Sequence, residues 1–98
     1  MQRCDYCGRI IYKNVSGKYF LCSSKCKTKF KNKKYISDIE HAVISVVKDG
    51  IIVNEIVKIL EYDKFDIISA VRRLIYQKEK LYIKTKSELN LKVSIFIK

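Results

Sequence analysis

The sequence predicts an α+β protein made of a small cysteine-containing lobe followed by a larger, mainly helical lobe. All four cysteines lie between residues 4 and 26, in two close pairs. Apolar residues then recur at helical spacing between residues 39 and 75, and the last residues alternate apolar and polar side chains as strands do. We place the boundary after residue 35, which gives an N-terminal lobe of residues 1–35 and a C-terminal lobe of residues 36–98.

The cysteines form the pattern that one tetrahedral metal ion requires. Two residues separate Cys4 from Cys7, three separate Cys22 from Cys26, and fourteen lie between the pairs. Four thiolates at about 2.3 Å from zinc close a structural site that has no open position. The sequence therefore predicts one structural zinc ion, bound by Cys4, Cys7, Cys22 and Cys26.

Disulfide bonds and an iron–sulfur cluster are the alternatives for these cysteines. Disulfides need an oxidising compartment, and residues 1–3 contain no apolar run of the kind that begins a secretion signal. We therefore expect a reducing, cytoplasmic location, where this spacing favours a metal. Four thiolates also suit an iron–sulfur cluster, which stays open. Because a lobe of this size is too small for a self-sufficient core, we expect the metal to be required for its folding.

The net charge of +11 is concentrated in the N-terminal lobe. Residues 1–35 contain ten Lys and Arg residues and one acid, Asp5, whereas residues 36–98 contain eleven basic and nine acidic residues. A lobe with this charge favours a polyanionic partner. A basic surface that serves only solubility and an acidic membrane surface are the alternatives. No stretch of eighteen apolar residues is present, so we expect no membrane span and no membrane partner.

The segment between the two cysteine pairs predicts a β-hairpin. Two β-prone runs, at residues 10–12 and 18–21, flank a cluster of turn residues. A helix then follows to about residue 34, with Ser23 or Ser24 as its cap.

A metal-binding turn, a hairpin and a helix that carries the second cysteine pair follow one another in a treble clef. The lobe resembles TRASH-type zinc fingers, and also MYM-type fingers and the related finger of a large-subunit ribosomal protein, in the segments Cys4-Asp5-Tyr6-Cys7-Gly8 and Phe20-Leu21-Cys22-Ser23-Ser24-Lys25-Cys26. Phe30 follows and is expected to pack beneath the metal site. The resemblance implies that the four cysteines bind zinc. It also implies that the lobe contacts a nucleic acid or a protein, or senses metals.

Residues 31–36 predict a short basic linker into the C-terminal lobe. Ser37 and Glu40 then form a capping box, in which the serine caps a helix and the glutamate lies three residues later. This helix is expected to run to about Lys48. Residues 51–53 predict a short strand.

Two further helices follow, each with a predicted cap. Asn54 caps the second helix, whose buried face is formed by Ile56, Val57, Ile59 and Leu60. Asp63 caps the third helix, which runs to about Lys78 with Ile67, Ile68, Val71, Leu74 and Ile75 facing inward. Alternation at residues 81–85 and 91–97 predicts a closing β-hairpin.

Helix, short strand, helix, turn, helix and β-hairpin is the order of elements in winged helix-turn-helix domains. Residues 50–84 resemble that family in their apolar pattern, notably in the run from Val71 to Ile83. The resemblance implies a third helix that enters the DNA major groove and a wing that contacts the backbone. Winged helices also dock proteins or pair with each other, so a protein partner and a homodimer are alternative expectations.

The third helix predicts an outward face formed by Asp66, Ser69, Ala70, Arg73, Tyr76 and Gln77. Arg73 and Gln77 lie four residues apart and are placed to meet base edges or phosphates. The predicted nucleic-acid contacts are Lys25, Lys29 and Lys33 in the N-terminal lobe, Lys64, Arg72, Arg73 and Gln77 on the third helix, and Lys84, Lys86 and Lys92 in the wing. Carboxylates at the start of the third helix oppose this use of it.

The chain contains no HExxH, GxSxG, GxGxxG or phosphate-loop motif, and its single histidine, His41, is expected at the surface. We therefore expect a protein that is not an enzyme. The first hypothesis is a zinc-containing transcriptional regulator that binds double-stranded DNA. The alternatives are an adaptor of the transcription machinery with non-specific nucleic-acid affinity, and an RNA- or ribosome-associated protein.

Overall fold

The computed structural model describes residues 2–12, 19–86 and 88–98. Within these residues the chain is an α+β structure of four helices and two small antiparallel sheets, which confirms the predicted class. Its elements are β1 (Gln2–Arg3), β2 (Ile10–Ile11), α1 (Ser24–Phe30), α2 (Lys33–Val46), β3 (Ile51–Ile52), α3 (Val53–Ile59), α4 (Lys64–Tyr76), β4 (Leu81–Tyr82) and β5 (Ser94–Ile97).

The N-terminal hairpin differs from the predicted one. β1 pairs with β2, so the hairpin encloses the turn of residues 4–8, which we call the knuckle. Residues 19–21 form no strand, and residues 13–18 lie outside the described residues. The returning segment is held by the knuckle instead, because the Asp5 amide donates to the Phe20 carbonyl at 2.6 Å and the Phe20 amide donates to the Asp5 carboxylate at 2.9 Å.

The predicted long helix after the second cysteine pair is two helices. Ser23 caps α1 as expected, since its hydroxyl accepts from the Cys26 amide at 3.2 Å. α1 ends at Phe30, because the Asn32 side chain accepts from the Tyr35 amide at 3.1 Å and caps a new helix. The linker predicted at residues 31–36 is therefore wrong from Lys33 onward, and residues 35 and 36 lie inside α2.

The predicted capping box at Ser37 is also wrong, because both of its residues lie in the interior of α2. Glu40 is buried and turned towards α4, where its carboxylate accepts from Arg73 Nε at 2.7 Å. The Lys78 ammonium contacts the other oxygen of the same carboxylate. The spacing of Ser37 and Glu40 matched a local capping pattern, whereas Glu40 forms an ion pair with the distant Arg73.

The larger sheet has the strand order β3-β5-β4, with Ile51 opposite Ile95 and Tyr82 opposite Phe96. Its strands are shorter than predicted. Asn54 does not cap α3, which Ile52 precedes without a side-chain cap. The first two amides of α3, those of Val53 and Asn54, instead donate to carbonyls of residues 93 and 91 at 3.0 Å.

α4 lies between two hydrophobic clusters. Asp63 caps it as predicted, by accepting from the Phe65 amide at 3.1 Å. The main core contains Ile67, Val71 and Leu74 from α4 together with residues from α2, α3 and the sheet. A second cluster combines Cys4, Tyr6, Cys7, Ile11, Cys26 and Ile36, and Phe20, Leu21, Phe30 and Phe65 pack against it.

The predicted outward face of α4 is wrong for four of its six residues: the knuckle covers Asp66 and Arg73, and Ala70 lies in the main core, whereas Gln77 is exposed as predicted. Asp66, Ser69, Ala70 and Arg73 are all buried. In contrast, Ile59 of α3 was expected in the core and is 55% exposed. Among the described helices, none has the length and hydropathy that crossing a membrane requires.

We expect Glu40→Gln to lower the free energy of unfolding by about 3 kcal/mol, because it leaves the buried Arg73 guanidinium without its counter-charge. Asp38→Asn, on the exposed side of the same helix, is the matched control and should change stability by less than about 0.5 kcal/mol. Urea denaturation of the metal-loaded protein measures both. Equal effects of the two substitutions would contradict the role of the buried pair.

Candidate functional site

The four cysteines predicted from the sequence come together in the structure. Cys4 and Cys7 lie in the knuckle, Cys26 lies in the first turn of α1, and Cys22 precedes it. All four sulfurs lie within 4.8 Å of one another. The Cys7–Cys22 and Cys22–Cys26 sulfur distances are 3.5 and 3.6 Å. A metal bound tetrahedrally at about 2.3 Å requires sulfurs about 3.8 Å apart, so the cluster fits one metal ion.

Local backbone geometry prepares the cluster for negative charge. The amides of Cys7 and Cys22 each lie 3.5 Å from the Cys4 sulfur and donate to it. The Gly8 amide donates to the Cys4 carbonyl at 3.0 Å and closes the turn. Gly8 has a φ of +75°, a conformation that favours glycine.

Contact between the thiols makes ionisation of one of them oppose ionisation of the next. Hydrogen bonding with Cys7 lowers the pKa of the Cys4 thiol to about 4. The same contact with Cys4, together with burial, raises the pKa of Cys7, and burial raises the pKa of Cys26 to about 11. One thiolate therefore suppresses the ionisation of its neighbours, whereas a bound cation would stabilise all four.

A buried carboxylate on α4 joins the N-terminal lobe to the rest of the protein. Asp66 is 1% exposed and accepts from the Tyr6 hydroxyl of the knuckle at 2.6 Å. It also accepts from the Tyr35 hydroxyl of α2 at 2.9 Å and lies 3.0 Å from the Lys29 ammonium of α1. Three separate elements thus converge on one side chain.

These contacts decide the charge of Asp66. Burial alone would raise its pKa, but hydrogen bonds from Tyr6, Lys29 and Tyr35 hold the pKa below its ordinary value. The carboxylate is therefore ionised at neutral pH. Burial raises the pKa of Tyr6, and burial with the Asp66 hydrogen bond raises that of Tyr35 to about 12, so both phenols remain donors.

Arg73 and Gln77 contact the knuckle. Arg73 is 2% exposed, and its guanidinium lies 4.8 Å from the centre of the Tyr6 ring and donates to the Tyr6 carbonyl. The Gln77 amide donates to the Cys4 carbonyl at 2.9 Å. A Cβ added to Gly8 would lie 2.5 Å from the Arg72 Cβ, so the knuckle packs directly on the helix backbone.

Of the lysines predicted to bind nucleic acid, one is paired with a buried carboxylate and the others are exposed. Lys29 is held by Asp66. The ammonium groups of Lys25, Lys33 and Lys84 lie over the rings of Phe65, Phe30 and Phe96, at 4.0, 3.0 and 4.4 Å from their centres. Lys25, Lys33, Lys64, Lys84, Lys86 and Lys92 are exposed. Their role in nucleic-acid binding stays a prediction, whereas Arg72 and Arg73 are buried, and the Arg73 guanidinium donates to Glu40 and to the Tyr6 carbonyl.

Sequence reasoning did not anticipate the polar contacts between the lobes. Glu40 was interpreted as a capping residue and Asp66 as an outward acid, and no polar contact was predicted for Tyr6. The charged residues at positions 40, 66 and 73 could have indicated buried ion pairs, but a single sequence does not show which of them are in contact. No protein-family model, curated protein or solved structure matches this chain.

We expect one metal ion per chain. Cys22→Ser should weaken metal binding by more than about a hundredfold, because even the loss of a residue that only hydrogen-bonds to a metal ligand can weaken binding by up to about that factor. Ser24→Ala, an exposed hydroxyl two residues away, is the control and should retain the metal. Elemental analysis and competition with a chelator measure both. Reduced protein without bound metal would contradict the site.

We expect the ionised Asp66 carboxylate to stabilise the native state at neutral pH. Its native pKa lies below its value in the unfolded chain, so this contribution is complete above about pH 5 and is lost as the pH falls through the native pKa. Urea midpoints from pH 7 downward should therefore show wild type well above Asp66→Asn, with the difference shrinking in acid. Asp38→Asn should follow wild type throughout. A difference that does not change with pH would contradict the stated charge of Asp66.

Proposed function

We propose that this protein is a zinc-containing DNA-binding protein in which a treble-clef lobe packs on a winged helix. Zinc is the metal that suits four thiolates in a closed site. The treble-clef assignment is supported by the knuckle and by the helix that carries the second cysteine pair. The winged-helix assignment is supported by three helices followed by a β4–β5 pair, with β3 added to the same sheet.

The observation that supports nucleic-acid binding most strongly is an exposed basic surface around the junction of α1 and α2. It comprises Lys25, Lys27, Lys31, Lys33 and Lys34, which we call the lysine surface. Within the described residues, none of these side chains forms an ion pair with a carboxylate. Such a group of unpaired cations suits phosphates of a nucleic-acid backbone.

Phosphate contact, rather than base reading by α4, is the proposed mode of binding. The helix that would enter the major groove is covered by the knuckle, and Arg73 is committed to Glu40 and Tyr6. Exposed Lys84, Lys86 and Lys92 near β4 and β5 supply a second set of backbone contacts. We therefore propose that the protein binds DNA with weak sequence preference. Its regulatory role would depend on where along the DNA it is bound, and not on base recognition by α4. A non-enzymatic, cytoplasmic role belongs to the same proposal.

An adaptor that docks a protein of the transcription machinery is the second candidate. It is supported by exposed apolar side chains outside the lysine surface, Ile52, Ile59 and Ile97, which are 43%, 55% and 46% exposed. Binding to RNA in preference to duplex DNA would support the remaining alternative.

We expect the logarithm of duplex affinity to fall linearly with the logarithm of salt concentration, and Lys27→Gln with Lys31→Gln to reduce that slope by about 1.8. Lys48→Gln with Lys80→Gln removes the same charge outside the lysine surface and is the control. Fluorescence anisotropy with duplexes of different sequence measures both, and affinity should vary little between sequences. Equal losses in the two double variants would contradict the proposed surface.

A further inference from the structure

A cavity beside the knuckle is lined by two arginines, neither of which forms an ion pair with a carboxylate among the described residues. Its volume is about 380 Å³, and Arg9, Ile10, Tyr12, Arg72 and Glu88 line it. Arg72 is 9% exposed, and its Nε has no hydrogen-bond partner. Glu88 is the acid of the cavity, but its carboxylate pairs with Arg3 at 3.4 Å.

The fold holds the stem of Arg72 in place. It lies against Gly8, where a Cβ would approach to 2.5 Å from the Arg72 Cβ, and the exposed Arg9 follows Gly8 in the chain. Burial and the nearby charge of Arg9 lower the pKa of Arg72, although Cys7 and Glu88 act in the opposite direction. Arg72 nevertheless remains protonated, as arginine does in proteins. A buried donor without a partner and two like charges both oppose folding, and a bound anion would offset both.

We infer that Arg9 and Arg72 form a binding site for a phosphate group of a nucleic-acid strand, with Tyr12 as the stacking surface for an adjacent base. This inference rests on the proposed nucleic-acid-binding function and adds a defined site to it. Guanidinium groups suit phosphate because their planar N–H donors match its oxygens.

Two further observations favour a strand over a small anion. Tyr12 is 84% exposed, which leaves its ring available for stacking on a base. Arg72 also lines a second cavity, of about 470 Å³, together with Lys92. Arg72 is common to both cavities, so a strand that continues from the first cavity into the second would meet the positive charge of Lys92.

The four arginines of the chain make this site directly measurable by NMR of their Nε–H groups. The Nε of Arg73 is bonded to Glu40 and serves as an internal reference. Inorganic phosphate, added to the metal-loaded protein at constant ionic strength, should shift the Arg9 and Arg72 signals to saturation and leave Arg73 unmoved. Arg9→Gln should weaken phosphate binding about tenfold through loss of charge-assisted hydrogen bonds, whereas Lys48→Gln should not. No saturable shift, or equal shifts of all four signals, would overturn the site.

The source of the phosphate is tested with a 5′-phosphorylated single-stranded dinucleotide. It should bind at least several-fold more tightly than inorganic phosphate, and Tyr12→Leu should remove that gain without changing the affinity for inorganic phosphate. A dinucleotide that binds no more tightly than inorganic phosphate would overturn the assignment to a nucleic-acid strand.

The two proposals fail in different ways. Duplex binding with unmoved Arg9 and Arg72 signals would overturn the arginine site and leave the lysine surface standing. Saturable phosphate shifts without any duplex binding would overturn the proposed binding of double-stranded DNA, and the dinucleotide experiment would then decide whether the arginine site takes a nucleic-acid strand.

Discussion

One buried carboxylate, Asp66, holds the architecture of this protein together. It receives donors from the knuckle, α1 and α2, so one α4 side chain joins three elements, and Arg73 and Gln77 add further contacts with the knuckle. A second buried carboxylate, Glu40, secures Arg73 on the same helix. Since each of these ions would be costly to bury without its partners, the N-terminal lobe can cover this part of α4 only because Tyr6 and Lys29 pair with Asp66 and Glu40 pairs with Arg73.

This arrangement links the metal cluster to the interior of the protein. The cluster around the cysteines belongs to a lobe that is small for a self-sufficient core, so we expect the bound metal and contact with α4 to contribute to its stability. Tyr6 lies between two cysteines and contacts both Asp66 and Arg73. Metal binding by Cys4 and Cys7 is therefore expected to position Tyr6, which contacts the buried charges of Asp66 and Arg73. The free energy of metal binding then contributes to the stability of the whole chain.

Sequence reasoning succeeded where the determining interaction is local. The cysteine spacing identified the cluster, and Ser23 and Asp63 were correctly placed as caps, because ligand spacing and capping depend on neighbouring residues. It failed where distant partners decide. Glu40 was assigned to a cap that it does not form, and Asp66 and Arg73 were placed at the surface, because a charge on a helix is usually solvated. Asn32 ended α1 early through a cap that competed with a continuous helical pattern.

The position of α4 links the two lobes. Residues of the N-terminal lobe pack against one side of it, and the main core packs against the other. We therefore expect the two lobes to unfold as one cooperative unit. Scanning calorimetry of the metal-loaded protein tests this directly. We expect one transition that includes both lobes and loss of the metal, whereas two separate transitions would contradict it.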